Sequence, residues 1–239
     1  MSTTSKLAGR QEIAAGTMAF RFEKPSGWTF EAGQAIDLTL LAASETDAEG
    51  NTRTFTIASA PYEKTLMVAT RMRDTAFKRV LKVMPVGAAV EIEGPTGILT
   101  LHSDAARTAV FLCGGIGITP FRSIAFGAAK EHLPHRILLF YSNRRPEDAA
   151  FLAELQTLEK ENPNYKLIAS MTEMEKSHQP WHGETGVIGK EILARYLKDA
   201  ASPIYYIAGP PGMVKGLHMM INKSGVDERD IRTEEFSGY

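Results

Sequence analysis

The chain has 239 residues, of which 44% are hydrophobic and 23% are charged, a balance typical of globular proteins. Lysine and arginine total 27 against 28 acidic residues, and the resulting net charge of −1 argues against a nucleic-acid partner bound through its phosphates. The single cysteine, Cys113, excludes an internal disulfide and a cluster held by four thiolates in this chain. No metal-site histidine spacing, signal-peptide pattern or 18-residue apolar run occurs. We therefore expect no metal site, no membrane span and a cytoplasmic location.

The first part of the chain contains short stretches in which apolar and polar side chains alternate, separated by glycine and proline. The clearest stretches are residues 18–22, 34–40, 54–57, 66–70 and 90–92. Alternation with a period of two at this spacing predicts an antiparallel barrel or sandwich. Residues 75–84 instead place apolar side chains at helical offsets, which predicts one helix within this part.

The pattern of apolar and polar residues changes near residue 107. A continuous apolar run at 108–113 predicts a strand buried on both faces, and further strands are predicted at 136–141, 165–169 and 204–208. Helical patterns occur at 121–131, 146–159, 190–196 and 211–222. This alternation predicts a doubly wound parallel sheet. We thus predict an antiparallel β-barrel domain over residues 1–103 and an α/β domain over residues 104–239.

Two glycine-containing turns follow predicted parallel strands and precede predicted helices. The first is CGGIGITP at 113–120, and the second is AGPPGM at 208–213. Glycine lets the backbone approach a pyrophosphate closely, and the N–H groups of a helix start attract its charge. Two such turns on one sheet predict a ligand that crosses the strand ends. The alternative is that each is only a tight connection between strand and helix.

A third motif, RTFT at 53–56, lies on a predicted barrel strand. The guanidinium of Arg53 can bind a phosphate through several donors. Alternation along a strand places Arg53 and Phe55 on one face and Thr54 and Thr56 on the other. The alternative is an exposed arginine beside a phenylalanine of the barrel core.

Taken in chain order, these three motifs and the Glu235-Phe236 pair resemble the ferredoxin–NADP reductase family over essentially the whole sequence. The similarity is to compact bacterial members without a fused iron–sulfur domain. It implies a barrel that binds FAD, a parallel-sheet domain that binds NAD(P)H, and two rings that meet at the interface. It also implies a flavin-dependent oxidoreductase that passes hydride from NAD(P)H to FAD. Single electrons would then pass to a separate carrier such as ferredoxin, flavodoxin or an oxygenase component.

The resemblance also implies roles for individual residues. Arg53 would bind the flavin pyrophosphate, Phe55 would pack against the flavin, and Thr56 would hydrogen-bond near flavin N5. Thr56 and Glu235 would be the catalytic residues. The remaining FAD contacts would come from Thr54, Val68, Ala69, Thr70, Thr75, Ala76, Phe77, Lys78 and Tyr239. The NAD(P) contacts would come from Gly115, Ile116, Gly117, Thr119, Ser142, Asn143, Arg144, Gly209, Pro210 and Met213.

Several points stay open at this stage. FAD is favoured over FMN by the match at residues 75–78, and Arg144 gives NADPH a slight preference over NADH. Basic side chains near the barrel helix predict a docking face for an acidic partner, or else a solvated helix surface with flavin phosphates: Arg71, Arg73, Lys78, Arg79 and Lys82. One alternative function is a diaphorase-type reductase of free flavin, ferric chelates or quinones. Another is a nucleotide-sensing module without turnover.

Overall fold

The computed structural model describes residues 2–236, which form two six-stranded sheets. The first is antiparallel throughout, with strand order β4-β3-β6-β1-β2-β5. Its strands are β1 (Ser2–Ala14), β2 (Thr17–Glu23), β3 (Ala35–Leu40), β4 (Thr52–Thr56), β5 (Thr65–Arg71) and β6 (Ala89–Thr96). Helix α1 (Ala76–Val83) lies between β5 and β6 and buries Phe77, Val80 and Leu81 in the barrel core. The predicted antiparallel barrel with one internal helix is confirmed.

The second sheet is parallel throughout, with strand order β10-β9-β8-β7-β11-β12. Its strands are β7 (Ala109–Gly114), β8 (Ile137–Asn143), β9 (Tyr165–Met171), β10 (Glu184–Thr185), β11 (Ile204–Gly209) and β12 (Ile231–Glu235). The helices are α2 (Thr119–Lys130), α3 (Leu152–Glu161), α4 (Lys190–Tyr196) and α5 (Pro211–Asn222). Strands β8, β9 and β10 add successively on one side of β7, and β11 and β12 then add on the other side of β7. The switch point between β7 and β11 is where such sheets bind ligands.

The helix predicted over residues 146–159 begins later than expected. Pro146–Asp148 form a separate 3-10 turn, and α3 starts only at Leu152. Phe151, which precedes it, has a left-handed backbone with φ of 63°. Its ring lies against the Arg122 guanidinium, whose central carbon is 5.1 Å from the ring centroid. The interruption between the 3-10 turn and α3 thus coincides with a tertiary contact, which the local sequence pattern does not reveal.

The two sheets are joined by a buried polar contact at α2. Arg122 is 4% exposed. Its guanidinium donates to the backbone carbonyl of Ala58 at 2.7 Å and to the carboxylate of Glu63 at 3.0 Å, both in the barrel half. It also donates to Glu154 on α3 at 2.8 and 2.9 Å. The start of α2, directly after the first glycine turn, is therefore held in place against the barrel.

The division at residue 103 falls in the segment between the last barrel strand, which ends at Thr96, and β7, which begins at Ala109. The domain boundary stays a prediction. None of the helices in residues 2–236 combines the length and apolar character needed to cross a bilayer.

Candidate functional site

The barrel is open along one seam. The backbone N–H of Ala58 donates to the carbonyl of Met67 at 2.7 Å, which joins the chain after β4 to β5 at one end. Beyond this contact β4 and β5 are the two outer strands of the sheet and leave backbone edges for another partner. A cavity of about 550 Å³ lies at the seam. Its walls include Arg53, Thr54, Phe55, Thr56, Ala69, Thr70, Thr75, Lys78, Ile116, Thr119 and Phe236.

Arg53 supplies a partly buried cation to this cavity. Its side chain is 19% exposed, and the guanidinium carbon lies 5.2 Å from the centroid of the Phe77 ring. Phe55 also approaches Phe77, with 5.9 Å between ring centroids. The shared neighbour agrees with the predicted placement of Arg53 and Phe55 on one face. Both side chains line the cavity wall.

The start of α1 lies beside Arg53. Thr75 caps the helix, because its hydroxyl oxygen accepts from the backbone N–H of Lys78 at 3.3 Å. Lys78 donates to the carbonyl of Arg71 at 2.8 Å, and burial, together with the charges of Arg73 and Arg53, lowers its pKa. Three predicted flavin contacts are buried and do not line the cavity wall: Val68, Ala76 and Phe77.

A second cavity, of about 520 Å³, lies at the switch point of the parallel sheet. Predicted nucleotide contacts on its wall are Gly115, Ile116, Ser142, Asn143, Arg144, Pro210 and Met213. The barrel contributes Thr17, Arg71 and Arg73. Ile116, Arg71 and Arg73 line both cavities, so the two spaces are adjacent.

The other predicted nucleotide contacts lie off this wall. Thr119 lines the first cavity instead. Gly117 packs against β11, where a Cβ atom would lie 2.2 Å from the carbonyl oxygen of Ala208. At Gly209 a Cβ atom would lie 3.2 Å from the backbone nitrogen of Gly114, which is a tight contact, and the φ of 153° favours glycine. These glycines allow the backbones of the turns at 113–120 and 208–213 to approach each other closely. Their role in the cleft is therefore structural.

Ser142, Asn143 and Arg144 end β8 at the rim of the second cavity. Asn143 is 7% exposed, and its Nδ2 has no hydrogen-bond partner among residues 2–236. The Arg144 side chain is 65% exposed and only loosely paired, with its Nε 3.7 Å from Glu173. By contrast, Arg145 is closely paired with Asp148 at 2.8 Å. Arg144 is thus the more available cation at this rim.

The two halves also meet at Thr56. This residue is 3% exposed, and its hydroxyl donates to Oε1 of Glu234 at 3.1 Å. Burial raises the pKa of the Glu234 carboxyl, and the hydrogen bond from Thr56 offsets only part of that effect. Phe236 follows on the same segment, and its backbone N–H donates to the carbonyl of Gly209 at 3.0 Å. Tyr239, predicted as a flavin contact, lies outside the described residues.

Comparison with known proteins agrees with this geometry. Residues 111–219 match the family model of the oxidoreductase NAD-binding domain. The chain is 33% identical over 156 residues to one component of the Na(+)-translocating NADH-quinone reductase of Methylococcus capsulatus, covering 64% of this chain and 38% of the relative. It is 25% identical over 224 residues to the glycine betaine monooxygenase reductase subunit of Chromohalobacter salexigens, covering 92% and 60%. This chain therefore spans less than two thirds of the length of either relative.

Among solved structures, the chain is similar to a ferredoxin NADP+ reductase from Neisseria gonorrhoeae with bound FAD and NADP. The TM-score is 0.79 with 98% of each chain covered, and at 22% identity this likeness establishes the fold. The chain therefore has the fold of the ferredoxin–NADP reductase-like oxidoreductases, and its second half matches an oxidoreductase NAD-binding domain.

FAD is the group that the ferredoxin–NADP reductase-like fold implies for the barrel, and the residues present fit it. The open edges of β4 and β5 offer backbone donors and acceptors to a flat heterocycle. Arg53 and the start of α1 offer donors to a pyrophosphate beside them. The adjoining cavity at the switch point fits a nicotinamide nucleotide in the same reductase-like fold.

At the contact between the two halves, an acidic residue stands one position before the predicted Glu235, whose catalytic role stays a prediction. The structure brings Glu234, and not Glu235, to Thr56. Successive side chains of a strand point to opposite faces, and Ile231 packs into the apolar cluster that includes α4 and α5. Glu235 shares the face of Ile231 and is exposed. Because Ile231 is the apolar residue of this strand, the alternation of faces places Glu235 on the side of Ile231 and Glu234 on the opposite side. This alternation is the sequence signal that identifies Glu234.

The basic residues predicted to form a docking face do not all lie free on the surface. Arg71 and Arg73 line the two cavities of the reductase-like cleft. Arg79 pairs with Glu45 at 2.6 Å and with Asp74. Much of the positive charge near α1 is thus directed into the cleft or neutralised on the surface.

Proposed function

We propose that this chain is an NAD(P)H-dependent flavoprotein reductase that passes electrons to a separate carrier protein or oxygenase component. The observation that carries the proposal is the shared wall of the two cavities, formed by Ile116, Arg71 and Arg73. Hydride transfer needs its two reacting atoms about 3–3.5 Å apart. Two unconnected sites could not meet this requirement, whereas adjoining cavities can.

FAD would supply the conversion between two-electron and one-electron transfer, which amino-acid side chains do not perform. In the proposed complex, Arg53 and the start of α1 bind the pyrophosphate. Phe55, Ala69 and Thr70 line the space for the flavin ring and its ribityl chain. Phe77 supports this wall from behind, because its ring contacts Phe55 and the Arg53 guanidinium, while Val68 and Ala76 are buried.

In the second cavity, the turn at 115–118 precedes α2, whose N-terminal N–H groups favour a pyrophosphate. Pro210 and Met213 form the opposite wall. We assign the 2′-phosphate of NADPH to Arg144, because its guanidinium is exposed and weakly paired. Asn143 supplies an amide donor that has no partner among the described residues. NADPH is therefore the proposed donor in preference to NADH.

Thr56 and Glu234 would act together beside the first cavity, where the barrel meets the parallel sheet. The hydroxyl of Thr56 donates to Glu234, which leaves the hydroxyl oxygen able to accept a hydrogen bond in the first cavity. Glu234 fixes the rotamer of Thr56 and holds a carboxyl at the interface. We propose that this pair, and not Glu235, positions the reacting groups.

The proposed acceptor follows from the relatives. One is named as the reductase subunit of a monooxygenase, and another as a component of a quinone reductase. The first matches 92% of this chain, against 64% for the second. An oxygenase component or its electron carrier is therefore favoured over a small-molecule acceptor.

The test is reduction of the purified protein loaded with FAD, under anaerobic conditions, followed at the flavin absorbance band. We expect NADPH to bleach the band and a ferredoxin or oxygenase component to restore it. The controls are ferricyanide and free FMN as acceptors. Reoxidation by small acceptors alone would contradict the carrier-protein role. A protein that binds FAD but is not bleached by either nucleotide would contradict the reductase function altogether.

A further inference from the structure

The loop between β3 and β4, residues 41–51, brings a carboxylate to the proposed phosphate-binding donors. Oδ2 of Asp47 accepts from the backbone N–H of Ala76, the first residue of α1, at 3.1 Å. Oδ1 of Asp47 lies 3.2 Å from Nη2 of Arg53. The same Nη2 lies 2.8 Å from the Glu49 carboxylate. One anionic side chain thus bridges the arginine and the helix start.

The loop is fastened in this position at several points. Glu45 pairs with Arg79 on α1 through two hydrogen bonds of 2.9 and 2.6 Å. Arg53 donates to three backbone carbonyls at or next to the loop, at 2.7 to 3.0 Å. These contacts place Asp47 beside the start of α1.

Asp47 stays ionised in this arrangement. Burial alone would raise its pKa, but the backbone N–H groups of Glu49 and Ala76 and the guanidinium of Arg53 outweigh burial and lower it. A carboxylate and a phosphate both prefer a guanidinium and the N–H groups of a helix start. The two anions therefore require the same donors.

We propose that Asp47 is an internal competitor of phosphorylated flavins, which must displace it from Arg53 and Ala76 in order to bind. This inference rests on the proposed function, since it takes these donors to be the flavin phosphate site. A site that is available for only part of the time has its apparent affinity reduced by that fraction. Riboflavin has no phosphate and does not need these donors, so Asp47 affects FAD and FMN alone.

The experiment compares FAD, FMN and riboflavin binding to the apoprotein by quenching of flavin fluorescence. We expect Asp47→Asn to tighten FAD and FMN about tenfold and to leave riboflavin within about twofold. Glu191→Gln is the matched control, because Glu191 is an exposed acid in the first turn of α4. It removes the same charge and should change none of the three affinities. Unchanged or weaker FAD binding in Asp47→Asn, or equal tightening of riboflavin, would overturn the proposal.

Arg53→Ala separates this inference from the proposed function. It should weaken FAD and FMN but not riboflavin, and equal affinities for the variant and the wild type would show that the phosphate site itself is misassigned. If Arg53→Ala behaves as expected and Asp47→Asn does not, the role of Asp47 alone is wrong.

A second measurement uses the wild-type protein and needs no variant. Glu45 and Glu49 lie in the loop, so a glutamate-specific protease reports its release from α1. We expect saturating FMN to speed cleavage after these two residues and riboflavin to leave the rate unchanged. An FMN-independent rate would overturn the competition.

Discussion

The hydroxyl of Thr56 donates a 3.1 Å hydrogen bond to Oε1 of Glu234, which lies 178 residues later in the chain. This contact joins an outer strand of the barrel to the outermost strand of the parallel sheet. It therefore places a protonatable group of the parallel-sheet half against Thr56, which lines the first cavity. We expect a change at Glu234 to act on the first cavity through Thr56.

Glu234→Gln should slow flavin reduction by NADPH at least about tenfold, a typical lower range for a lost positioning or proton-transfer group. The rate is measured by anaerobic stopped-flow absorbance with FAD loading held equal. Glu235→Gln is the matched control, because Glu235 is exposed and points to the other face. A larger effect of Glu235→Gln would contradict the assignment.

The raised pKa of Glu234 also predicts a pH dependence of stability. Burial penalises the charged form, so the carboxyl contributes fully to stability below its unfolded-state value of 4.5. That contribution is lost as pH rises through the higher folded-state pKa. Glu234→Gln should therefore gain thermal stability relative to the wild type as pH increases from 4 to 8, by about a few degrees. A difference in Tm that is constant across this range would contradict the raised pKa.

Arg122→Ala should lower the free energy of unfolding by about 3 kcal/mol, because Glu63, Glu154 and the buried carbonyl of Ala58 each lose the guanidinium as a hydrogen-bond donor. The change is measured by urea denaturation. Arg229→Ala, which breaks a pair with Asp227 whose side chains are 88% and 47% exposed, is the comparison and should cost less than about 1 kcal/mol. Equal losses of unfolding free energy in the two variants would contradict a larger contribution of the buried Arg122 contact to stability.

Arg144→Ala should weaken NADPH about tenfold or more and change NADH less than about twofold, since only NADPH carries the 2′-phosphate. Dissociation constants are obtained by titrating the FAD-loaded protein with the oxidised nucleotides. Arg145→Ala serves as the control because Asp148 already neutralises that guanidinium. Equal weakening of both nucleotides by Arg144→Ala would remove the assignment.

The order of the two sheets could be predicted from the sequence because their strands differ in the pattern of apolar and polar residues. Strands with one exposed face alternate, whereas β7 is buried along its entire length. The first strand, β1, was missed because only Ser5 and Leu7 of its 13 residues are buried, and one of these is polar. Its place in the sheet is set by pairing with β2 and β6, which is not visible locally.

The candidate site was predictable where a motif fixes backbone geometry and less so where a side chain must point in one direction. The glycine turn at 114–117 lies at the switch point as the motif indicated. The sequence offers no sign that Arg71 and Arg73 face a cleft between domains, so their place on the cavity walls comes from the fold alone. Asp47 carried no motif at all, and its contact with Ala76 spans 29 residues.

The Arg122 contact limits how such proteins can be recombined. The arginine and Glu154 come from the second half of the chain, whereas Ala58 and Glu63 come from the first. A chimera that exchanges halves within the segment between Thr96 and Ala109 would pair this guanidinium with a foreign partner. Functional hybrids should therefore require the stretch from 58 to 63 to be inherited together with α2, even though the natural seam lies elsewhere.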